Sequence, residues 1–308
     1  TANDQWHWQA TVSKGGYSNT YTIFFHYPSE VIPNADFTEW TTAKYNNGAK
    51  PVGWQVPADF FDKITVLWVD AKTGAEVVKK SDTSVGLETT YWSTAGGALP
   101  AMMTLGTLSG GLSVANKTHY EFSDYIRFYN TPDSISVNYQ YKSKAGSGAL
   151  FAYRFKGVEN DKDVSYNFDY KQTNTSSSYI THTQPLALDG KHITGMNIAV
   201  DATNESSGAS AGAELYVDWF RLSYNSTLKS LRVNGIPATL KNNIFTATLT
   251  DPEYTAIPAL AFTGEVSDQA QDVVWQPETQ TGNYGVRRAT ITNYAEDGTS
   301  TAYTLQVR

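Results

Sequence analysis

The chain has 308 residues, of which 40% are hydrophobic and 13% aromatic, so it can bury a sizeable core and is not mainly disordered. Only 17% of the residues are charged and the formal net charge is -7, which argues against a nucleic-acid partner or an anionic membrane surface. Cysteine is absent, which excludes disulfides and thiolate sites, and no apolar run reaches the roughly 18 residues of a membrane-spanning helix.

Strand-like patterns run along the whole chain. Apolar and polar residues alternate with a period of two, most clearly at 20–25, 64–69 and 134–141. Clusters of Gly, Asn, Asp and Ser interrupt the alternation at short intervals, and no long stretch keeps a helical period. Short strands joined by polar turns predict an all-β fold built as a sandwich or barrel.

Residues 1–31 form the first predicted unit. The stretch 10–23, which contains Gly15-Gly16, resembles 289–305, which contains Asp297-Gly298. Both stretches predict a hairpin that closes an immunoglobulin-like unit. We therefore predict that residues 1–31 are an N-terminal β-hairpin remnant from the end of a preceding immunoglobulin-like domain.

The clearest internal boundary follows residue 224. The strand-like run 215–224 ends in a polar segment, and a new alternating pattern starts at Leu228. The remaining residues, 225–308, have the size of an immunoglobulin-like β-sandwich, with a hairpin signal at 241–243 and a closing turn at 296–298.

The middle segment, residues 32–224, carries a series of motifs. They are the stretches 32–40 (IPNADFTEW), 51–54 (PVGW), 99–111, 127–132 (RFYNTP) and 212–222 (GAELYVDWFRL). Together they resemble a carbohydrate-metabolism domain family of saccharolytic Bacteroidetes, and the first and last motifs also resemble galactose-binding-like jelly rolls. The resemblance implies a jelly-roll β-sandwich with a glycan pocket, commonly followed by an immunoglobulin-like domain, in bacteria that use polysaccharides.

Structural calcium is the one cofactor that the resemblance raises. Related sugar-binding jelly rolls often hold calcium through an acidic residue after the Phe of the first motif and a second Asp in the last motif. Here Thr38 and Trp219 occupy those places, so Asp218 alone is a candidate ligand. The alternation also slips at Asp218, because Val217 and Phe220 both look inward, and this slip predicts a β-bulge that re-aims Asp218.

A sugar presents flat C–H faces and a rim of hydroxyls, so its binding site needs aromatic rings beside hydrogen-bonding groups. Tyr91 and Trp92 are adjacent aromatics in a stretch rich in Thr, Ser and Gly. Because neighbours on a strand point to opposite faces, at most one of them joins the core without a bulge. We assign Trp92 to the ligand, with simple packing as the alternative.

A second candidate cluster consists of Tyr120, Tyr125, Arg127 and Tyr129, of which the last three alternate as on a strand. Binding on a concave sheet face and an ordinary half-solvated face both explain this pattern.

Arg154 is a further candidate, together with its neighbour Tyr153. Phe151, Tyr153 and Phe155 share one face, so Arg154 points the other way and one of the two is structural. Two tryptophans, at 40 and 54, are predicted to be core or loop-anchoring residues.

These observations lead to a glycan-binding protein as the first hypothesis. We expect it to be exported to the periplasm or outer-membrane surface, in part because the chain starts without Met, and to be lipid-anchored in its precursor. Its expected partners are an oligo- or polysaccharide and other outer-membrane glycan-uptake proteins. Two alternatives stay open: a glycoside hydrolase or lyase with a carboxylate pair among Glu88, Glu121 and Asp124, and an adhesin or stalk segment without a sugar site.

Overall fold

The computed structural model describes residues 6–14, 17–25, 30–44, 48–56, 59, 63–64, 69–70, 76–81, 83–92, 97–99, 101–113, 117–144, 148–202, 212–249, 258–266, 269–276, 279–281 and 284–308. Within 6–25, 63–81, 90–99, 108–123 and 279–285 the description extends to the backbone only. The described residues are organised almost entirely as β-strands in several sheets, and no α-helix occurs among them. The predicted all-β class is therefore confirmed.

The first strands form a hairpin of their own. Strands β1 (Trp6–Lys14) and β2 (Tyr17–Phe25) pair antiparallel in a two-stranded sheet, with Lys14 opposite Tyr17. The predicted turn residues Gly15 and Gly16 lie outside the described residues. The origin of this hairpin in a preceding immunoglobulin-like domain stays a prediction.

The next strands span residues 40 to 223. In chain order they are β3 (Trp40–Thr42), β4 (Ala49–Pro51), β5 (Trp54–Gln55), β6 (Lys63–Ile64), β7 (Val69–Asp70), β8 (Glu76–Ser81), β9 (Ser84–Glu88), β10 (Thr90–Trp92), β11 (Gly97–Leu99), β12 (Met102–Leu105), β13 (Thr107–Ser113), β14 (Lys117–Asp124), β15 (Ile126–Arg127), β16 (Ser134–Lys142), β17 (Ala149–Glu159), β18 (Lys162–Gln172), β19 (Ile180–Pro185), β20 (His192–Asp201) and β21 (Glu214–Ser223).

Two of the sheets enclose the main core. One has six strands in the order β18–β17–β20–β12–β5, with β15 beside β20, and the other has five in the order β19–β16–β21–β9–β8. Their ladders are antiparallel. Their inward side chains form one buried cluster that includes Val85, Leu87, Met103, Leu105, Ile135, Val137, Tyr139, Phe151, Tyr153, Phe155, Ile198, Val200, Leu215, Val217 and Phe220. This arrangement is a β-sandwich, and the jelly-roll order of its connections stays a prediction.

Strand β16 shows why the sequence forms this sandwich. Its side chains alternate between buried and half-buried along the strand, with Ile135, Val137 and Tyr139 fully buried. Each such buried side chain contributes about 1.5–3 kcal/mol, so the side of the sheet that faces the core is strongly determined. The outward positions hold polar residues, among them Ser136 and Asn138.

The C-terminal strands pack around a second core. They are β22 (Leu228–Val233), β23 (Ile236–Pro237), β24 (Thr239–Lys241), β25 (Ile244–Ala247), β26 (Leu260–Gly264), β27 (Ala270–Trp275), β28 (Thr279–Thr281), β29 (Tyr284–Tyr294) and β30 (Ser300–Val307). They form a three-stranded sheet, β23–β22–β26, and a second sheet, β24–β25–β30–β29–β27, with β28 beside β29. The buried cluster between them contains Leu228, Leu231, Val233, Phe245, Ala289, Ile291, Tyr303, Leu305 and Val307. An immunoglobulin-like topology stays a prediction.

Two predicted turns of this part are confirmed. Asn242 and Asn243 link β24 to β25, with Lys241 opposite Ile244, and both have left-handed φ angles of 51° and 60°. Two positive φ angles are what a type I′ hairpin turn requires, and Asn tolerates them. Gly298, in the turn between β29 and β30, has a φ of 81°.

Polar contacts join the two cores at their connection. The Glu296 carboxylate accepts hydrogen bonds from the Thr131 backbone N–H (2.7 Å) and hydroxyl (3.3 Å). The Asn225 backbone N–H donates to the Asp133 carboxylate, and the Asn225 side chain donates to Glu265 (3.1 Å). The C-terminal sandwich is therefore attached directly to the larger one, while the predicted domain limits at 31 and 224 stay predictions.

Candidate functional site

A β-bulge in β21 shapes the outer face of the five-stranded sheet. Opposite β16, Trp219 pairs with Asn138 and Val217 pairs with Tyr139, so Asp218 is an extra residue without a partner in the ladder. Val217 and Phe220 are both buried, which confirms the predicted bulge and its cause. Because the extra residue shifts the alternation, Trp219 points outward, as Tyr216 does on the other side of the bulge.

The loop 32–39 runs beside β21 at this point. Strand β9 pairs with β21 only up to Val217, and beyond it the Phe220 N–H donates a hydrogen bond to the Ala35 carbonyl (2.9 Å). Phe37 anchors the loop because its fully buried ring packs against Trp54 (centroids 5.4 Å apart) and Phe220 (6.2 Å). The loop is therefore held by both backbone pairing and core packing.

Side-chain hydrogen bonds give this loop its shape. The Asn34 amide donates to the carbonyls of Glu39 (2.8 Å) and Val52 (3.2 Å), and its oxygen accepts from the Glu39 N–H (3.0 Å). Asn34 has a φ of 47°, a left-handed conformation that Asn tolerates well. The Thr38 hydroxyl donates to the Asp36 carboxylate (3.1 Å). These bonds place the polar side chains of the loop on its solvent side.

A recess of about 490 Å³ opens between the loop and the bulged strand. We call it the Trp219 recess, and its lining residues are Ile32, Asn34, Ala35, Asp36, Thr38, Glu39, Trp219, Phe220 and Arg221. The Trp219 ring is half-buried, and the Arg221 guanidinium lies 4.2 Å from its centre. Asp36, Thr38 and Glu39 are exposed. The recess thus combines one aromatic ring with carboxylate, amide, hydroxyl and guanidinium groups.

The outer face of the sheet continues from the recess toward Tyr216. The Tyr216 hydroxyl donates to the Glu214 carboxylate, and the Lys142 ammonium lies 2.7 Å from the same carboxylate and 5.3 Å from the tyrosine ring. The hydrogen bonds from Lys142 and Tyr216 lower the pKa of Glu214. Burial, followed by the neighbouring Glu214 carboxylate, raises the pKa of Tyr216. Tyr216 is therefore a neutral, oriented ring at neutral pH.

Some of the predicted site residues lie on the opposite side of the sandwich. Ile126 and Phe128 pack into the core, so Tyr125, Arg127 and Tyr129 face outward, as their alternation predicted. Arg127 is exposed, and its guanidinium lies 4.8 Å from the centre of the Tyr129 ring. Strand β15 belongs to the six-stranded sheet, and none of these three residues lines the Trp219 recess.

Arg154 also lies on the six-stranded sheet and has structural partners. Its guanidinium lies 2.5 Å from the Asp169 carboxylate and donates to the carbonyls of Tyr153 (3.1 Å) and Phe168 (3.2 Å). Tyr153 is fully buried on the other face, which confirms that the two side chains point in opposite directions. The contacts of Arg154 tie β17 to β18.

The remaining predicted contacts fall outside the described side chains. Tyr91 and Trp92 lie on β10, opposite Ala98 and Gly97 of β11, and Tyr120 lies on β14, opposite Gly110. Only the backbone of these strands is described, so the assignments of Tyr91, Trp92 and Tyr120 to a ligand stay predictions.

The two tryptophans that were predicted to be structural have structural contacts. Trp54 is 1% exposed and its indole N–H donates to the Pro33 carbonyl (3.1 Å). The Trp40 indole N–H donates to the Phe37 carbonyl (2.6 Å). Both therefore fasten the loop that borders the recess, which confirms their predicted role.

Asp218, the candidate calcium ligand, is half-buried at the bulge. No group of three or more His, Cys, Asp or Glu side chains that could hold a metal ion occurs within the described ranges. The role of Asp218 as a cation ligand stays a prediction. As the extra residue of the bulge, Asp218 shifts the backbone so that the Trp219 side chain points outward.

Comparison with known proteins does not assign the chain to a family. No protein-family model matches the chain, and no curated protein matches its sequence. Among the residues that the structure describes, no helix has the length and hydrophobicity needed to cross a membrane.

Sequence reasoning did not identify the Trp219 recess as a site. The signal was nevertheless present, because a strand in which Val217 and Phe220 both face inward must turn Trp219 outward. No comparable sequence signal indicated that Asp36 and Glu39 line the recess. The loop 32–39 is far from β21 in the sequence, and no local pattern relates the two segments.

Proposed function

We propose that this protein binds a glycan at the Trp219 recess. The observation that carries the proposal is the Trp219 ring, turned to the protein surface by the bulge and bordered by Asn34, Asp36, Glu39 and Arg221 in a recess of about 490 Å³. Aromatic rings stack on the C–H face of a sugar, and carboxylate and guanidinium groups bind its hydroxyls in pairs. The volume falls in the range of small-ligand sites.

The setting of the proposed function comes from the sequence. The resemblance of residues 32–224 to a carbohydrate-metabolism domain family supports a role in polysaccharide use, in an exported protein of the periplasm or outer-membrane surface. Stacking contributes about 0.5–1.5 kcal/mol per ring beyond burial, and each hydrogen bond a similar amount. The expected dissociation constant is therefore on the order of micromolar to millimolar.

Replacing Trp219 with alanine is expected to weaken glycan binding by at least about tenfold, because stacking and ring burial together exceed roughly 1.4 kcal/mol. The test begins with a glycan array on the unmodified protein and continues with calorimetric titration of the best binder. Tyr294→Ala is the matched control, since Tyr294 is a 37% exposed aromatic of the C-terminal sandwich. Equal affinities of the unmodified protein and Trp219→Ala, or an array without any binder, would refute the proposal.

Deleting Asp218 is expected to weaken binding while the protein stays folded. Without this residue, regular alternation points the side chains of Val217 and Phe220 into the core and that of Trp219 to solvent. The inner face of the sheet therefore stays apolar, and the fold is retained. The deletion removes the extra twist and bend that direct the Trp219 ring at the recess. Asp218→Ala keeps the bulged backbone and serves as the control with retained binding. Titration and urea unfolding of both variants measure the two effects, and undiminished binding by the deletion variant would contradict this role of the bulge.

A glycoside hydrolase is the rival function, because Asp36 and Glu39 supply two carboxylates at the rim. The general acid of a glycoside hydrolase sits in a hydrophobic setting, whereas both of these side chains are exposed to solvent. We therefore propose binding rather than catalysis. Release of reducing sugar from the bound glycan, lost in Asp36→Asn or Glu39→Gln, would favour the hydrolase.

A further inference from the structure

Resting on the proposed function, we infer that the site recognises the interior of a linear, uncharged glycan through two aromatic platforms, Trp219 and Tyr216, rather than a single terminal sugar. Trp219 lies in the recess and Tyr216 lies beyond it on the same outer face of β21. The recess is therefore one end of a longer binding surface.

The spacing of the two rings fits more than one sugar unit. Tyr216 and Trp219 are three positions apart on β21, with the bulged Asp218 between them. A strand rises about 3.3 Å per residue, which puts the two side chains roughly 7–10 Å apart along the strand. This distance exceeds the width of one sugar ring, so one unit cannot cover both platforms.

Hydrogen-bonding groups accompany both rings on the neighbouring strand. Asn138 pairs with Trp219 and Gln140 pairs with Tyr216, so the two amides stand beside the two rings on the same face. The Asn138 amide nitrogen donates to the Thr181 hydroxyl (3.0 Å), and that of Gln140 donates to the Ser177 carbonyl (3.1 Å). These bonds hold each amide in a fixed orientation beside its ring.

The charges along this surface disfavour an acidic glycan. Lys142 is paired with Glu214 at 2.7 Å, so its charge is compensated. Arg221 lines the same recess as the exposed carboxylates of Asp36 and Glu39, so the recess carries a net negative charge. A uronate or sulfated chain would be repelled there, whereas the hydroxyls of a neutral chain can pair with each of these groups.

The experiment is a calorimetric titration with four uncharged ladders, the cello-, xylo-, manno- and malto-oligosaccharides, each from the monosaccharide to the hexasaccharide. For the series that binds, affinity is expected to rise at least about tenfold between the monosaccharide and the tetrasaccharide. Tyr216→Ala is expected to remove this rise, while Tyr216→Phe keeps it. Trp219→Ala is expected to weaken every member, and a thermal melt verifies that each variant is folded.

The outcomes separate this inference from the proposed function. If no ladder binds and the glycan array is also empty, the proposed function itself fails. If a series binds with equal affinity at all lengths, or if Tyr216→Ala leaves the rise intact, the two-platform inference is overturned while glycan binding stands. Tighter binding of oligogalacturonates than of the uncharged ladders would overturn the assignment to a neutral chain.

Discussion

Replacing Trp54 with alanine is expected to lower the free energy of unfolding by about 3–5 kcal/mol, the range for truncating a large buried aromatic. Trp54 is 1% exposed and stacks on Phe220, with ring centroids 5.5 Å apart and planes at 21°. It also contacts the Phe37 ring at 5.4 Å. Alanine would leave a cavity at the centre of this group of three rings, which the surrounding β-sheets can close only in part.

Trp54→Ala is also expected to loosen the loop 32–39, which borders the Trp219 recess. The Trp54 indole N–H donates to the Pro33 carbonyl and its ring supports Phe37, so the loop 32–39 would lose two of its anchors. Trp54→Phe is the matched control, because it keeps an aromatic ring between Phe37 and Phe220 and loses only part of the ring volume, together with a hydrogen bond worth about 1 kcal/mol. Urea unfolding with both variants measures the difference. A loss below about 1 kcal/mol for Trp54→Ala would mean that the three-ring group does not stabilise the fold.

Replacing Tyr153 with phenylalanine is expected to raise the free energy of unfolding by about 1–3 kcal/mol, the cost of burying an unsatisfied polar group. Tyr153 is fully buried, and its hydroxyl has no hydrogen-bond partner among the residues that the structure describes. Burial therefore raises the pKa of Tyr153, with smaller effects from the nearby Tyr139 and Tyr170. Phenylalanine keeps the ring packing and removes the unpaired hydroxyl.

Tyr141→Phe is the control for the direction of this change in the free energy of unfolding. Tyr141 is equally buried, but its hydroxyl donates to the Ala202 carbonyl at 3.0 Å. Removing that hydroxyl leaves an acceptor in the core without its donor, so this variant is expected to be less stable by about 1 kcal/mol. Thermal and urea unfolding of the two variants should shift in opposite directions. A Tyr153→Phe variant that is destabilised as much as Tyr141→Phe would contradict the expectation.

The local features of the fold were accessible from the sequence. The alternation at 134–141 predicted β16, and the Asn242-Asn243 pair predicted a tight hairpin. The bulge at Asp218 followed from the break in alternation alone. Each of these features depends on neighbours in the chain, through the period of two and the φ angles that a residue tolerates.

The candidate site could be predicted only in part from the sequence. Adjacent aromatic and polar residues make Arg154 a candidate in the sequence, but in the structure its guanidinium is bound by Asp169 and by two backbone carbonyls. Local composition cannot distinguish an arginine that ties two strands together from one that awaits a ligand. In the sequence, Trp219 is a departure from a calcium motif, and the predicted bulge at Asp218 turns its ring outward.

The amino-acid sequence by itself determined three features of this protein: that it is built of β-strands, that apolar and polar side chains alternate along β16, and that β21 carries a bulge. These features depend on side-chain alternation and turn propensity, which act between near neighbours in the chain. Only the tertiary structure brought the loop 32–39 to the side of Trp219, since these segments lie at opposite ends of the larger sandwich sequence. Their meeting depends on the hydrogen bond from Phe220 to Ala35 and on the packing of Phe37, Trp54 and Phe220. Such long-range packing arises when the whole core closes, and no local pattern encodes it.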